Sequence, residues 1–126
     1  VRVVSGTTGE GTQGPVKNCY VRPTYMDVTL PAGEKFDQQI GASDNAFVFV
    51  IEGDLIVGNT RQPLSHRNLG ILGEGDHITV TAESPARFLL VAGQPLNEPI
   101  ARGGPFVMNT KAEVMQAFAD YQSGQF

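Results

Sequence analysis

Apolar and polar positions along the chain fall into short alternating runs separated by Gly, Pro, Asn and Asp. Val1-Arg2-Val3-Val4 reads as a first strand, and glycines at 6, 9, 11 and 14 with polar residues between them mark a mobile loop running to Pro15. From Tyr25 to Leu30 the alternation puts Met26, Val28 and Leu30 on one face, and Pro31-Ala32-Gly33 ends it, the pattern of a half-buried strand. Ala46 to Ile51 is a continuous apolar run, Glu52-Gly53-Asp54 supplies turn residues, and Leu55 to Gly58 resumes the strand pattern, which predicts a β-hairpin. Gly70-Ile71-Leu72 and His77 to Thr81 flank a further turn at Gly73-Glu74-Gly75-Asp76, and Arg87 to Ala92 forms the next apolar strand. Many short strands parted by Gly/Asp turns predict an all-β sandwich or barrel.

Only the end of the chain has helical spacing. Thr110-Lys111-Ala112-Glu113 fits a capping box, in which the Thr hydroxyl accepts from a free backbone N–H and the Glu reaches back to the cap N–H. Val114, Met115, Phe118 and Tyr121 then share a face, Asp120 and Gln122 point away, and Gly124 closes the helix. Between Gly93 and Thr110, Pro95, Pro99 and Pro105 oppose regular strand pairing while Leu96, Ile100, Phe106, Val107 and Met108 are apolar. That segment is expected to lie as a strap across the fold. The division expected is a barrel with its strap over 1–108 and a helix and tail over 109–126.

At 126 residues the chain has room for about one domain, and 40% hydrophobic against 17% charged residues excludes a disordered tail. Its 15 glycines and 8 prolines favour tight corners over long helices. A net charge of −4, with Lys and Arg scattered rather than clustered, argues against direct nucleic-acid binding. The longest apolar run, Ala46–Ile51, falls far short of the ~20 residues of a membrane span, so no membrane partner is expected. Cys19 is the one cysteine and cannot form an internal disulfide, which favours a reducing compartment and gives the cytoplasm as the expectation. The chain opens on Val1 without Met or a leader, so its true start is expected upstream.

Candidate chemistry is thin. His66 and His77 stand eleven apart with no second ligand at i+2 or i+4, which leaves them as turn or solvent-facing residues rather than metal ligands. The Gly6–Gly14 loop invites a phosphate-cradle reading, yet Pro15-Val16 stands where a P-loop needs Lys-Ser/Thr, so a plain loop is expected. Cys19 has only Lys17 as a nearby cation and reads as a half-buried structural thiol. Ser65-His66 adjacency carries nothing, because catalytic Ser and His meet in space and not in sequence. Glu52 and Asp54 flank a turn glycine for conformational reasons. No catalytic and no metal-binding residue is expected.

Several stretches together carry a family likeness: Pro23-Thr24 through Leu30, Ile51-Glu52-Gly53-Asp54, Val57-Gly58, Leu72-Gly73-Glu74-Gly75-Asp76, Leu89-Leu90-Val91-Ala92-Gly93-Gln94-Pro95-Leu96-Asn97-Glu98-Pro99, and Gly104-Pro105-Phe106-Val107-Met108-Asn109-Thr110. The last two are the specific ones. Over nearly its whole length the chain resembles the C-terminal domain of the pirin family. The resemblance implies a cupin-type barrel, a double-stranded β-helix or jelly roll, with one short C-terminal α-helix. It further implies the second half of a bicupin whose N-terminal cupin holds the iron and any quercetin 2,3-dioxygenase activity.

The general cupin metal motif, set by a glycine like Gly33, would fall on Gln39, Ile40 and Gly41, with Asn45 or Ala46 at the glutamate position and Ala86 near the last histidine position. None of these can ligate a metal, so no cofactor is expected in this chain and iron is expected in the N-terminal domain. The function that follows is a non-catalytic cupin supporting an iron-binding partner cupin of the same protein. Pro105, Phe106, Met108, Val114, Phe118 and Tyr121 are the candidate inter-domain or packing surface. The alternative is a regulatory protein-interaction module, a transcriptional co-regulator or modulator of metabolic enzymes, since pirin-like proteins are also implicated in those roles.

Overall fold

The alternation at Tyr25–Leu30 becomes strand β2 (Thr24–Leu30), with Met26 and Val28 fully buried and Tyr25 and Thr29 facing out. The computed structural model describes residues 1–17 and 20–126, so the reading of Cys19 as a half-buried thiol falls outside the described residues. Two compact units make up the chain, Val1–Pro95 and Leu96–Phe126. The segment 96–108 therefore groups with the C-terminal helix, whereas the sequence reading set the boundary after residue 108.

The first unit holds β1 (Arg2–Ser5), β2, β3 (Lys35–Gln39), β4 (Asn45–Glu52), β5 (Asp54–Val57), β6 (Gln62–Ser65), β7 (Leu69–Ile71), β8 (His77–Ala82) and β9 (Ala86–Gly93). They pair antiparallel into two sheets, a five-stranded β1-β2-β9-β4-β7 and a four-stranded β3-β8-β5-β6. Inward residues of both sheets form one core: Met26, Val28, Val48, Val50, Phe88 and Leu90 from the first meet Phe36, Leu55, Ile78, Val80 and Ala82 from the second. Phe36 and Phe88 touch edge to face across it, ring centroids 5.7 Å apart at 72°. This is an all-β fold of the cupin type, with its helix confined to the second unit.

The hairpin expected from Ala46 through Gly58 does not form. β4 pairs with β9 and β7, β5 pairs with β6 and β8, and the chain changes sheets at Glu52-Gly53-Asp54. Alternation reports which residues are buried but not which sheet buries them, so two adjacent apolar runs look like a hairpin. The corner is built by close approach. Gly53 has φ +79°, and a Cβ there would collide with the Pro85 carbonyl oxygen and stand 2.8 Å from Ala86 Cα. Asp54 N–H donates to Ser84 Oγ at 3.0 Å, and Glu83 N–H to the Asp54 carbonyl at 2.9 Å. The turn at 73–76 likewise joins strands of different sheets, β7 and β8. β3 and β6 have no counterpart in the sequence reading: Lys35–Gln39 carries one apolar residue in five, and Gln62–Ser65 contains a proline.

The glycine-rich loop is stitched back on itself. Gly14 N–H donates to Gly6 O at 3.0 Å, Val16 N–H to Val4 O at 3.1 Å and Thr8 N–H to Thr12 O at 2.9 Å, while the Ser5 hydroxyl donates to Val16 O at 3.0 Å.

In the second unit, β10 (Ala101–Gly103) and β11 (Phe106–Met108) pair as a short hairpin, correcting the expectation that the prolines prevent regular pairing. Pro105 sits in the connection, where no ladder N–H is required, beside Gly104 at φ +53°. Helix α1 (Lys111–Gln122) starts on the expected capping box: Glu113 N–H donates to Thr110 Oγ1 at 3.2 Å and Thr110 N–H to Glu113 Oε2 at 2.7 Å. These hydrogen bonds from Thr110 hold the Glu113 carboxyl below its ordinary pKa. The helix ends in a Schellman motif, Gln125 N–H to Asp120 O at 2.9 Å and Gly124 N–H to Tyr121 O at 3.3 Å, with Gly124 at φ +74°. No helix among the described residues is long and apolar enough to cross a membrane.

Gly53→Ala should destabilise the protein by clearly more than the ~1–2 kcal/mol that left-handed strain alone costs an alanine. Gly58→Ala, with φ +71° and open space around the new methyl, should cost only that strain. Urea unfolding of the pair checks this; equal losses would show that the corner tolerates a side chain.

Candidate functional site

A cupin's chemistry sits between its sheets, so the inward positions decide what this one can do. On β3 and just beyond it the inward residues are Phe36, Gln38 and Ile40, while Gln39 and Gly41 are exposed. Of the three positions that the metal motif would occupy, only Ile40 faces in, and it is apolar. Asn45 is exposed and Ala46 and Ala86 are buried. The donors needed by a metal are imidazole, thiolate or carboxylate, and these inward positions offer hydrocarbon and one amide, so they do not fit an iron centre. Among the described residues no three His, Cys, Asp or Glu side chains converge on a common point.

Both histidines lie at the surface. His66 is exposed in the turn after β6. His77, at the start of β8, places Nε2 3.3 Å from Asp37 Oδ1, and the Thr79 hydroxyl donates to the same oxygen at 2.6 Å. The Thr79 bond first, and then His77, hold the Asp37 carboxyl below its ordinary pKa. Glu52 and Asp54 are both exposed and flank the corner described above.

Of the clefts on the first unit, two bear on the inward positions just described. One, of about 490 Å³, is largely apolar: Ile40, Leu64, Leu72 and Ile78 line it together with Glu74 and His77. Gly70 helps keep it open, since a Cβ there would stand 3.0 Å from Leu64 Cδ2. The other, of about 550 Å³, is polar and lies beside Thr7–Gly9, with Gln38 in its lining. Gln38 is a functional candidate missed in the sequence; the alternation Phe36-x-Gln38-x-Ile40 was the signal for it.

The outward face of the five-stranded sheet is apolar as well. Tyr25, Val91, Phe47 and Ile71 lie in register across β2, β9, β4 and β7, with Leu89, Phe49 and Leu69 in the next row. Ile71 is 82% exposed and Leu69 53%. A bidentate ion pair crosses this face, Arg87 Nε to Asp27 Oδ1 at 2.9 Å and Arg87 Nη2 to Asp27 Oδ2 at 2.6 Å. The Arg87 bonds hold the Asp27 carboxyl below its ordinary 3.8 against the opposing effect of burial.

In the second unit the candidate surface residues separate. Phe106 and Val114 are buried, Met108 and Phe118 half-buried, and Pro105 and Tyr121 exposed. Phe106 meets Phe118 edge to face at 5.0 Å and 88°, with the Tyr121 and Phe126 rings at 6.3 and 5.3 Å. Met115, expected on the packed face, is 68% exposed, and Ala117 is buried in its stead. Gly103 and Gly104 let the helix close on the hairpin: a Cβ at 103 would stand 2.7 Å from Val114 Cγ1, and one at 104 would stand 3.0 Å from Phe118 Cζ. Asn109 Nδ2 donates to Glu98 Oε2 and to the Pro99 carbonyl, both at 2.9 Å, tying the proline-rich approach to the helix start.

Two facing antiparallel sheets around an apolar core, together with a C-terminal helix, fit a cupin, and the inward positions named above carry no metal-ligand set. Residues 25–126 match the model of the pirin C-terminal cupin domain, and the chain belongs to that family. A pirin-like protein of Caulobacter vibrioides is 45% identical over 128 residues, covering 100% of this chain and 45% of the relative. Human pirin is 37% identical, covering 99% and 44%. The crystal structure of a quercetin 2,3-dioxygenase from Acinetobacter baumannii superposes with a TM-score of 0.87 at 36% identity, covering 98% of this chain and 42% of that one. The chain thus spans less than half the length of these relatives.

Two outcomes follow for these surfaces. Phe106→Ala should remove about 3 kcal/mol of packing and speed amide exchange in α1 about 100-fold; unchanged exchange would mean the aromatic cluster does not hold the helix. Asp27 has a depressed folded pKa, so its ion pair stabilises above the unfolded value near 3.8 and is lost as pH falls through the lower folded one. The melting-temperature gap between the parent and Asp27→Asn should therefore stay level above about pH 5 and shrink below about pH 4; a gap that widens in acid would refute the assignment.

Proposed function

We propose that this chain is a metal-free, non-catalytic cupin that supports an iron-binding cupin within a protein of the relatives' length, where the quercetin 2,3-dioxygenase-like chemistry would reside. The observation that carries this is the inward lining: Phe36, Ile40, Ile78, Val80 and Phe88 are hydrocarbon and Gln38 is a neutral amide, so the lining offers no imidazole, thiolate or carboxylate for iron or for proton transfer. The name of the similar Acinetobacter enzyme supports an oxygenase context for the longer protein. A folded domain that keeps its core while carrying no ligand set is suited to shaping and burying the surface of a neighbour.

The outward face of the five-stranded sheet is the surface best suited to that neighbour. Exposed contiguous apolar area is costly on an isolated domain and marks contact surfaces. Phe49 and Leu89 lie at its centre, flanked by Leu69 and Asp27.

After anaerobic loading with ferrous iron and gel filtration, the isolated chain should retain no stoichiometric metal and should not consume quercetin above a metal-stripped control. In the longer protein, Phe49→Lys should lower both the melting temperature and iron retention, while leaving the isolated chain's melting temperature nearly unchanged. One tightly held iron per isolated chain would overturn the metal-free reading, and an equal loss in both contexts would overturn the role of this face.

A further inference from the structure

Gln38 is the one buried side chain whose chemistry is unfinished among the described residues. It is 4% exposed, on the inward face of β3. Its Nε2 donates to the Thr7 carbonyl at 3.0 Å and to the Gln39 carbonyl at 2.8 Å, which uses both amide hydrogens and fixes which terminal atom is the oxygen. That oxygen, Oε1, is buried without a donor. A buried acceptor left unpaired is destabilising, and native proteins pair nearly all such groups with protein, water or ligand.

We propose that the polar cleft beside the glycine-rich loop binds a small uncharged polyhydroxylated molecule of monosaccharide size, one of whose hydroxyls donates to Gln38 Oε1. The cleft's volume of about 550 Å³ falls in the range of small-molecule sites. Thr8, Thr24 and Gln94 line it with hydroxyls and an amide that can both give and take hydrogen bonds, and Gln38 adds its free acceptor. Arg22 and Asp44 add one charge of each sign, which suits a neutral ligand better than an anion. Arg22 holds φ +41°, a conformation rare for a residue with a side chain and concentrated at ligand-contacting positions.

The loop supplies the way in. Gln38, Thr8 and Gly9 also line a second cleft of about 460 Å³, so the Thr8–Gly9 segment lies between two openings with Gln38 common to both. The Thr7 carbonyl latches this segment to Gln38. Gly6 at φ +92° and Gly11 at φ +86° flank this segment, so entry of a ligand requires release of the Thr7 latch rather than of the hydrogen bonds that close the loop on itself. In place of a phosphate cradle, the loop contributes Thr7, Thr8 and Gly9 to the wall of a neutral site.

An ¹H–¹⁵N NMR titration of this chain with D-glucose tests the proposal, with inorganic phosphate as the charged comparator. Saturable shifts are expected at the amides of Thr8, Thr24, Gln38 and Asp44, with none from phosphate. Gln38→Met, of similar length but without an acceptor, should keep the dispersed spectrum and weaken glucose binding at least about ten-fold, the worth of one good hydrogen bond. Thr24→Val, at the cleft wall, should also weaken it and serves if the Met variant fails to fold. The proposal is overturned if glucose gives no saturable shift, as expected were a water alone to satisfy Oε1. It is equally overturned if the shifts fall in the apolar cleft, if the variants bind like the parent, or if phosphate takes the same amides more tightly.

Discussion

The contact between two apolar sheet faces governs the first unit. Phe88 lies fully buried beside Val28 and Val50 and meets Phe36 from the opposite sheet, so the strands of each sheet are held by what the other sheet presents. Such an interior tolerates few polar atoms, because each would need a partner within it. The inward positions of β3 and β8 are here given largely to side chains that fill space, Phe36, Ile78 and Val80. Core density and side-chain chemistry are linked here: the residues that fill this core are hydrocarbon and carry no imidazole, thiolate or carboxylate.

The same economy shapes the surface. With its inward side chains committed to the core, the five-stranded sheet has only its outward face for contact, and there Phe47, Phe49, Leu89 and Val91 stand where a free-standing sheet would carry charges. Asp27 and Arg87 are the exception, paired bidentately, so the charge brought to that face is already neutralised within the chain. A neighbour covering this face would meet hydrocarbon and a satisfied ion pair rather than two bare charges needing desolvation.

Much of this was legible in the sequence, and the failures have physical causes. Period-two alternation found β2, the apolar run found β4 and β9, and the Thr110–Glu113 spacing found the helix start to the residue. Sheet membership was not legible: the change of sheet at Gly53 depends on Pro85 and Ala86, more than thirty residues away. β3 escaped because Lys35-Phe36-Asp37-Gln38-Gln39 offers a single apolar residue, and its inward amide at Gln38 breaks the pattern that marks a strand. Three prolines suggested a strap, yet Pro105 fits the turn of a hairpin that the prolines frame rather than interrupt. In the helix, Met115 outranked Ala117 in hydrophobicity, but the angular position facing the hairpin belongs to the alanine.

The bond from Asn109 to Glu98 and Pro99 makes the last stretch of chain a different kind of object from the sheets before it. Its ties are short in sequence: ten or eleven residues at Asn109, three to seven across the hairpin of β10 and β11, three within the capping box, and at most twenty in the aromatic cluster. The sheets, by contrast, are joined by partners such as Asp27 and Arg87, sixty residues apart. Loop-closure entropy grows with such separations and slows the assembly of non-local sheets, whereas local contacts close quickly. Residues 96–126 thus have the makings of a foldon, a piece able to acquire its structure on a microsecond-to-millisecond clock while the β-strands are still searching for their neighbours.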